Sequence, residues 1–311
     1  MGLVGGYAFA QIGSDISGDR RSTEYPSAEG ATGTDIRAFG AAPDGSVSSV
    51  PAVRRALTHI EAQQRSVDGT PELVGEVVFA AGDYLIDSPI ELGAYQSVRI
   101  EADARVVVPA GYSGVVFRVA SEDGVRATTV HGRGHVIEAG KSGGHRTRPG
   151  QWTFIEFDAR NSGVSSVDVD GLSVWWPGTF ARYTARGQGW INGVRVSGTH
   201  VYYPGVLLDI TASEASRVNY NTWTGVRTQA GAGTRFGIRN LVGRSWSFQD
   251  VVVWDLYHNP SASSAVITRR AEGTVILGGN VTRQNYRDLG VDTVVTDRWN
   301  VDRAGALSPE G

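Results

Sequence analysis

The sequence predicts an all-β fold in which one short unit is stacked on copies of itself. The unit occupies 164–178 and recurs at 191–205, 27 residues further on, and a less regular copy of its later part follows at 246–255. A period in the twenties is typical of a solenoid. Apolar and polar residues alternate on either side of a glycine, so two short strands meet at a bend. Helical repeats would need apolar spacings of three and four. The pattern therefore predicts the coils of a single-stranded right-handed parallel β-helix.

The positions that the repeat places inside the coils are apolar in eleven of twelve cases, the exception being Thr199. In the three copies these positions are Val167, Val169, Leu172 and Val174, then Val194, Val196, Thr199 and Val201, then Trp246, Phe248, Val251 and Val253. Residues two apart on a strand face the same way, so equivalent residues on successive coils form columns. We expect the three copies to be neighbouring turns of one wound chain.

The composition argues against several classes of function. The chain has 311 residues and a net charge of −3, and no basic stripe favours nucleic acid as a partner. No apolar run is long enough to cross a bilayer, so no membrane partner is expected. The lack of cysteine excludes disulfides and thiolate metal sites. No cofactor is expected, and Ca²⁺ is the one ion that the acidic residues leave open.

The first 33 residues are rich in glycine and serine and poor in apolar residues. We interpret 1–33 as an N-terminal arm, which needs a docking partner such as a sister subunit or a larger assembly in order to be ordered. A signal peptide ending near Ala10 is the alternative. The missing basic n-region and the short apolar part disfavour it.

The segment 34–92 carries two motifs that enclose a helical pattern at 50–65. The first motif is D-I-R-A-F-G-A-A-P-D-G at 35–45, and the second is G-E-V-V-F-A-A-G-D-Y-L-I at 75–86. Together they resemble the start of the pectate-lyase-like superfamily, which includes polygalacturonases, fructan-converting enzymes and many bacteriophage tailspikes. The resemblance implies a parallel β-helix with an N-terminal capping helix. It implies little about activity, because this fold hosts hydrolases, lyases, transferases and binders. The segment 46–49, which lacks the usual acidic residue, and Ala80, which stands in place of the usual proline, depart from the motif.

The helical pattern itself predicts a cap. Val53, Leu57 and Ile60 form an apolar stripe, and Pro51 stands near the helix start, where its missing N–H is tolerated. A helix laid on the first coil covers an otherwise unpaired sheet edge. We divide the chain into an arm at 1–33, a helical cap at 34–75, a parallel β-helix at 76–301 and a tail at 302–311. Two stretches, 145–150 and part of 219–243, are expected to loop out of the coils.

Aromatic residues share an outward column in the three copies. Trp175, Tyr202 and Trp254 are equivalent by repeat position. Outward aromatic rings suit the apolar faces of sugars, so these residues, with Arg195 beside them, are the candidate substrate-binding residues. Two other interpretations remain open: the column is buried against a sister subunit of a trimer, or it is covered by the chain's own loops.

Asp168 and Asp170 lie two apart on one strand, so their carboxylates face the same way. Such a pair loosely fits the two-carboxylate requirement of glycoside hydrolysis, or it coordinates Ca²⁺. The repeat, however, places Arg195 over Asp168 and Ser197 over Asp170, which predicts an ion pair between coils as the structural alternative. Further acidic candidates on later coils are Asp209, Glu214, Asp250 and Asp255, the last beside the aromatic column.

His200 is the candidate general base, since it stands beside Tyr202 in an outward column. A solvated surface histidine is the plainer interpretation, and the same holds for His258. Arg146 and Arg148 form a basic stretch suited to binding an acidic sugar, or simply an exposed loop.

Together these features predict a trimeric spike- or fibre-type protein that binds a host surface polysaccharide. Its expected location is a virion surface or the extracellular space. A stronger form of this hypothesis adds that the protein depolymerises the polysaccharide. A homotrimer or a larger virion assembly would form through the arm. The alternatives are a secreted polysaccharide lyase or glycoside hydrolase, and a structural virion or surface protein without catalysis.

Overall fold

The computed structural model describes residues 33–63, 66–67, 70–71, 75–120, 122–254, 263–277 and 287–295, with the backbone alone at 66–67, 70–71, 252–254 and 263–264. These residues belong to one compact unit, Thr32–Gly311. The arm up to residue 32, the tail at 302–311, and the candidates Asp255 and His258 lie outside the described residues. The described residues form an all-β solenoid with one capping helix, as predicted.

Three parallel sheets run through the solenoid, and each full coil contributes one segment to each of them. Sheet A contains, in stacking order, Thr34–Asp35, Val77–Phe79, Ser97–Ile100, Val125–Gly132, Gly163–Asp170, Arg195–Ser197, Thr222–Thr224, Ser247–Gln249, Val275–Leu277 and Val294–Val295, with Trp190–Asn192 and Arg217–Asn219 beside this path. Sheet B contains Asp44–Ser48, Gly82–Leu85, Ala104–Val108, His135–Glu138, Ser173–Trp175, His200–Tyr202, Arg227–Gln229 and Val252–Trp254. Sheet C contains Ile90–Leu92, Val115–Val119, Thr153–Arg160, Thr179–Arg186, Val206–Ala212, Phe236–Arg244, Ser263–Glu272 and Arg287–Asp288.

The repeat predicts the register of the central coils correctly. Val169 pairs with Val196, and Val174 with Val201, in parallel. The predicted inner residues that the structure describes are buried, and Thr199 is buried with them because its hydroxyl donates to the carbonyl of Ser197 at 2.9 Å. Burial of such an unbroken apolar column is the main favourable term in the stability of a solenoid.

One complete coil separates the second copy from the third, which corrects the expectation that the copies are neighbours. Its strands are Arg217–Asn219, Thr222–Thr224 and Arg227–Gln229, so 219–229 does not loop out. Asn221 and Thr228 occupy inner positions and are buried. The Asn221 side chain accepts from the Val194 N–H at 3.0 Å and donates to the Ile191 carbonyl at 3.5 Å. These bonds offset the cost of burying an amide, so this coil forms without the apolar signature.

The capping helix, α1 (Val50–Gln63), buries Val53, Leu57 and Ile60 against the first coils. It follows the 3₁₀ helix Ile36–Phe39, and the antiparallel strands Ser66–Val67 and Thr70–Pro71 come after it. Strands Thr34–Asp35 and Asp44–Ser48 begin sheets A and B, so the cap segment also supplies the first coil. Among the described residues, no helix combines the length and hydropathy that a bilayer crossing requires.

The second predicted excursion is present and folds back on the coils. The segment 139–152, here called the strap, contains the 3₁₀ helix Gly144–Arg146. Its Gly150 N–H donates to Trp176, one coil further on, and its His145 carbonyl accepts from Ala232, three coils further on. Lys141 pairs with Glu138 at 3.0 Å and donates to the carbonyl of Arg148 at 2.7 Å, which fixes the base of the strap.

The outer face of sheet C carries a column of charges that alternate in sign. In register it reads Glu91, Arg118, Glu156, Arg182, Asp209 and Arg239. Arg118 bridges its two neighbours at 3.0 and 3.1 Å, and the Nε of Arg239 donates to Asp209 at 2.7 Å. This hydrogen bond raises the pKa of Arg239. Each arginine thus has an acidic neighbour on an adjacent coil.

Candidate functional site

The structure places the two candidate carboxylates on the outer face of sheet A, already bound to the next coil. Asp168 accepts from Nε and Nη2 of Arg195 at 2.6 and 2.7 Å, and Asp170 accepts from the Ser197 hydroxyl at 2.5 Å. The hydrogen bond that Arg195 donates to Asp168 raises the pKa of Arg195. The ion pair between coils is therefore the observed arrangement, and Arg195 is committed to it. A catalytic role for Asp168 or Asp170 stays a prediction.

Two of the three predicted aromatic residues stack directly. The rings of Trp175 and Tyr202 lie in register on sheet B, 3.9 Å apart between centroids and inclined by 14°. The next residue in this column is Gln229, and Trp254 follows it, so the three predicted residues share one column, as expected, with one coil between Tyr202 and Trp254. The side chain of Trp254 lies outside the described residues.

The stacking reduces the ring face that a ligand can reach. Trp175 and Tyr202 cover one face of each other and are half-buried, so they offer a sugar less ring face than an exposed ring does. The neighbouring Trp176 and Tyr203 have left-handed φ angles of 58° and 55° and are buried. Trp176 donates from Nε1 to Gly144 of the strap at 3.4 Å. Cover by the chain's own loops thus explains part of this aromatic group.

His200 lies on sheet B, in register with Ser173 and Arg227, on a different sheet from the two aspartates. Its Nδ1 stands 3.4 Å from the Tyr202 hydroxyl. Burial, and then the positive charge of Arg227, lower the pKa of His200. Among the described residues, no hydrogen bond or ion pair joins His200 to Asp168 or Asp170. The candidate catalytic residues therefore form no single cluster there.

Other predicted polar residues have separate positions. Asp209 belongs to the charge column of sheet C, and Arg146 and Arg148 are exposed on the strap. No group of three or more acidic or histidine side chains in the described part of the chain is arranged to hold a metal ion. Ca²⁺ binding by Asp168 and Asp170 stays a prediction.

A cleft that the sequence did not predict lies where sheet C turns into sheet A. This corner cleft has a volume of about 970 Å³, and its walls come from successive coils around the missed one. Its lining includes the aromatic residues Trp190 and Tyr220, the amides Gln188, Asn192 and Asn219, the acids Glu214 and Glu272, and the arginines Arg217, Arg244, Arg269 and Arg270. The volume suits a ligand of several rings.

The corner cleft holds both of the strongly exposed aromatic rings in the described part of the chain. Trp190 is 38% exposed and Tyr220 63% exposed. The Trp190 ring lies on Gly163 of the preceding coil, where a Cβ atom would stand only 2.2 Å from the ring carbon Cζ2. Glycine at 163 therefore lets the indole lie flat against the backbone. Isolated exposed aromatics are ordinary, but two in one cleft indicate a binding surface.

Tyr220 has a left-handed backbone conformation, and the equivalent positions on other coils have the same conformation but are occupied by small residues. Its φ is 55°, and the equivalent corner residues on adjacent coils are Gly193, Ser245 and Gly273, all with positive φ. Each of the four donates its N–H to the following coil in the same way. A bulky side chain in this region is strained, and such strain is typical of functional positions. Aligning the missed coil through Asn221 would have placed Tyr220 opposite Gly193 and revealed it.

Hydrogen bonds orient the polar lining of the corner cleft. The Oδ1 of Asn192 accepts from the Asn219 N–H at 3.2 Å, and the Oδ1 of Asn219 accepts from the Arg244 N–H at 2.9 Å. Their Nδ2 groups remain as donors. Arg270 donates to the carbonyls of Ala212 and Ser213 at 2.8 and 2.6 Å. The cleft can therefore stack on rings and donate hydrogen bonds to a polar ligand.

Comparison with known proteins gives no match in sequence. No protein-family model matches the chain, and no curated protein is similar to it. Solved structures are similar in backbone. PfbA, a surface adhesin of Streptococcus pneumoniae, has a TM-score of 0.51 and 12% identity, over 88% of this chain and 82% of its own. ORF18 of Geobacillus virus E2 has a TM-score of 0.41 and 13% identity, over 85% and 60%. A family 28 exopolygalacturonase of Yersinia enterocolitica has a TM-score of 0.36 and 12% identity, over 88% and 66%.

The backbone likeness to PfbA and the three stacked sheets establish the fold and leave the activity to be argued from the site. The resemblance carried by the motifs at 35–45 and 75–86 is thus confirmed at the level of fold. The chain therefore has a right-handed parallel β-helix fold.

Proposed function

We propose that this protein is a surface protein that binds a polysaccharide in the corner cleft. The observation that carries the proposal is that both strongly exposed aromatic rings of the described chain, Trp190 and Tyr220, line one cleft. Flat apolar rings match the faces of pyranose sugars, and the surrounding amides and arginines match their oxygen atoms. PfbA, which has the same fold, is described as a surface adhesin.

Binding accounts for this geometry better than catalysis does. Asp168 and Asp170 accept hydrogen bonds from the next coil, and His200 stands on another sheet. Glycoside hydrolysis needs two carboxyl groups across one bond, one of them protonated. Depolymerisation by Asp168, Asp170, Asp255 or His200 is a separate hypothesis. Reducing ends released from a bound polysaccharide, and lost in Asp168→Asn or Asp255→Asn, would favour the enzyme over the binder.

The finer proposal is a spike- or fibre-type homotrimer on a virion, attached through the N-terminal arm. Its support is the composition of 1–33, the motif resemblance and the adhesive role of a protein with the same fold. Light scattering of the full chain tests it: a trimer that becomes monomeric when 1–33 is deleted is the expected result. A monomeric full chain would remove this finer role and leave the polysaccharide-binding proposal standing.

The binding proposal is tested with a glycan array of bacterial capsular polysaccharides and O-antigens, followed by titration of the best ligand. Trp190→Ala combined with Tyr220→Gly is expected to weaken binding by about a hundredfold, because buried aromatic contacts dominate such sites. Trp175→Ala combined with Tyr202→Ala is the matched control, since it removes two rings elsewhere. Unchanged binding in the first variant, or an equal loss in the second, would refute the corner cleft as the site.

A further inference from the structure

We infer that the corner cleft selects polysaccharides bearing acidic substituents, such as carboxylate, sulfate or phosphate, over neutral chains. The inference rests on the proposed function and specifies its ligand class. Four arginines line the cleft against two glutamates, an excess of positive charge in a chain whose net charge is −3. Arginine is the side chain best shaped to bind a planar or tetrahedral oxyanion with two hydrogen bonds.

Among the described residues, three of these arginines have no acidic partner. Arg244 pairs with Glu272 at 2.8 Å. Arg270 is held by two neutral carbonyls, which orient the guanidinium but leave its charge uncompensated. Arg217 and Arg269 form no ion pair with any described residue. The oriented guanidinium of Arg270, beside Arg217 and Arg269, favours an anionic ligand. Little side-chain entropy is lost on binding, because Arg270 is already held in place.

Several arginines elsewhere on the coils are paired with an acid. Arg105, Arg118 and Arg195 each pair with a carboxylate at the register position of an adjacent coil. In the column that contains Arg217, the residues on the two preceding coils are Trp190 and Gly163. An aromatic ring therefore stands where other columns carry an acid. On neighbouring coils the cleft thus combines the ring of Trp190 with Arg217, which has no acidic partner among the described residues.

This combination fits a repeating acidic sugar. A sugar ring lying on Tyr220 or Trp190 would present its substituents to Arg217, Arg269 and Arg270 on the walls, while the Nδ2 groups of Asn192 and Asn219 meet its hydroxyls. A nucleic acid also offers rings and anions, but its affinity depends on many phosphate contacts along a basic track. Two excess charges in one cleft favour the polysaccharide.

The test titrates the full chain with paired probes that differ only in charge. The pairs are tetragalacturonate and its methyl ester, hyaluronan hexasaccharide and its carboxyl-reduced form, and sulfated and plain dextran fragments. We expect the acidic member of at least one pair to bind about tenfold or more tightly than its neutral partner, since one charge-assisted contact has about this effect. The difference should shrink as salt is added.

Arg217→Gln combined with Arg269→Gln should abolish the preference, because the acidic member loses far more affinity than the neutral one, with an unaltered Tm. Arg146→Gln combined with Arg148→Gln, on the strap, is the control and should keep the preference. Equal affinity for both members of every pair, sensitive to Trp190→Ala and Tyr220→Gly, would overturn the acidic selectivity alone. Failure of every probe to bind, or tighter binding of an oligonucleotide of equal charge, would overturn the inference.

Discussion

Aromatic side chains reach the outside of the coils in two places, and the two differ in what is done with the ring faces. On sheet B, Trp175 and Tyr202 stand in register and stack at 3.9 Å, so each covers the other. At the corner cleft, Trp190 and Tyr220 stand at different positions of successive coils, and each keeps a large exposed fraction. The comparison shows that aromatic side chains in register on adjacent coils cover each other, whereas aromatic side chains at the corner between two sheets stay exposed. The first pair supports the fold, and the second carries the proposed binding site.

The largest expected effect on stability separates the two pairs. Trp175→Ala with Tyr202→Ala removes a stacked pair that also contacts Trp176 and Tyr203, so the free energy of unfolding should fall by about 2–4 kcal/mol. Trp190→Ala, at an exposed ring, should cost less than about 1 kcal/mol. Chemical denaturation of the variants measures both. Equal losses would mean that the corner ring is also a packing element.

Relieving the backbone strain at Tyr220 should change stability by a smaller amount and in the opposite direction. Tyr220→Gly relieves a left-handed conformation that costs about 1–2 kcal/mol and adds about 0.5–1 kcal/mol of unfolded-chain entropy, so stability should rise slightly. Affinity for the polysaccharide should fall at the same time.

Ser245→Gly is the control, because it relieves the same conformation one coil further on without removing a ring. It should match the gain in stability and leave affinity unchanged. A loss of stability in Tyr220→Gly would contradict the interpretation of this tyrosine as a strained binding residue.

The seat of Trp190 can be disturbed without touching the ring. Gly163→Ala places a methyl group 2.2 Å from the indole, so the ring must move. We expect binding to weaken by about threefold to tenfold, with a shift in tryptophan fluorescence. If Gly163→Ala weakens binding just as much in a Trp190→Ala background, then the glycine acts by some route other than the ring.

The smallest expected effect is a pH dependence of stability, and it arises at His200, beside the stacked pair of sheet B, and not at the corner cleft. Burial and Arg227 lower the pKa of His200, so the unfolded chain binds its proton more readily than the folded one. Stability from this group is therefore present above the ordinary histidine pKa of about 6.5 and is lost as the pH falls further. His200→Gln should reduce the fall of Tm between about pH 6.5 and pH 5. No described residue lining the corner cleft is a histidine, so affinity measured there should not share this dependence.

The sequence predicts the fold and the regular columns because both follow from strand periodicity. An offset of 27 residues is enough to pair Asp168 with Arg195 and Trp175 with Tyr202, and both contacts are present. The prediction fails where periodicity is carried by something other than hydrophobicity. Asn221 is an inner residue held by hydrogen bonds to the preceding coil, so its coil looks like a loop in the pattern of apolar residues.

That single omission also explains why the corner cleft was not predicted. Without the coil at 217–229, Tyr220 has no equivalent position and Trp190 lacks its neighbour Arg217 on the following coil. The cleft further depends on how far the corner segments between sheets C and A project, which is set by tertiary packing rather than by the repeat. Trp254 shares the column of Trp175 and Tyr202, as predicted, with Gln229 between it and Tyr202.

The alternating charges on sheet C restrict how such a chain can change in length. From Glu91 to Arg239 every coil reverses the sign of its predecessor. Duplicating a single coil within this stretch would set two like charges side by side, whereas duplicating two together would keep the order intact. Growth or shortening of this part of the molecule, by evolution or by design, should therefore proceed in pairs of coils.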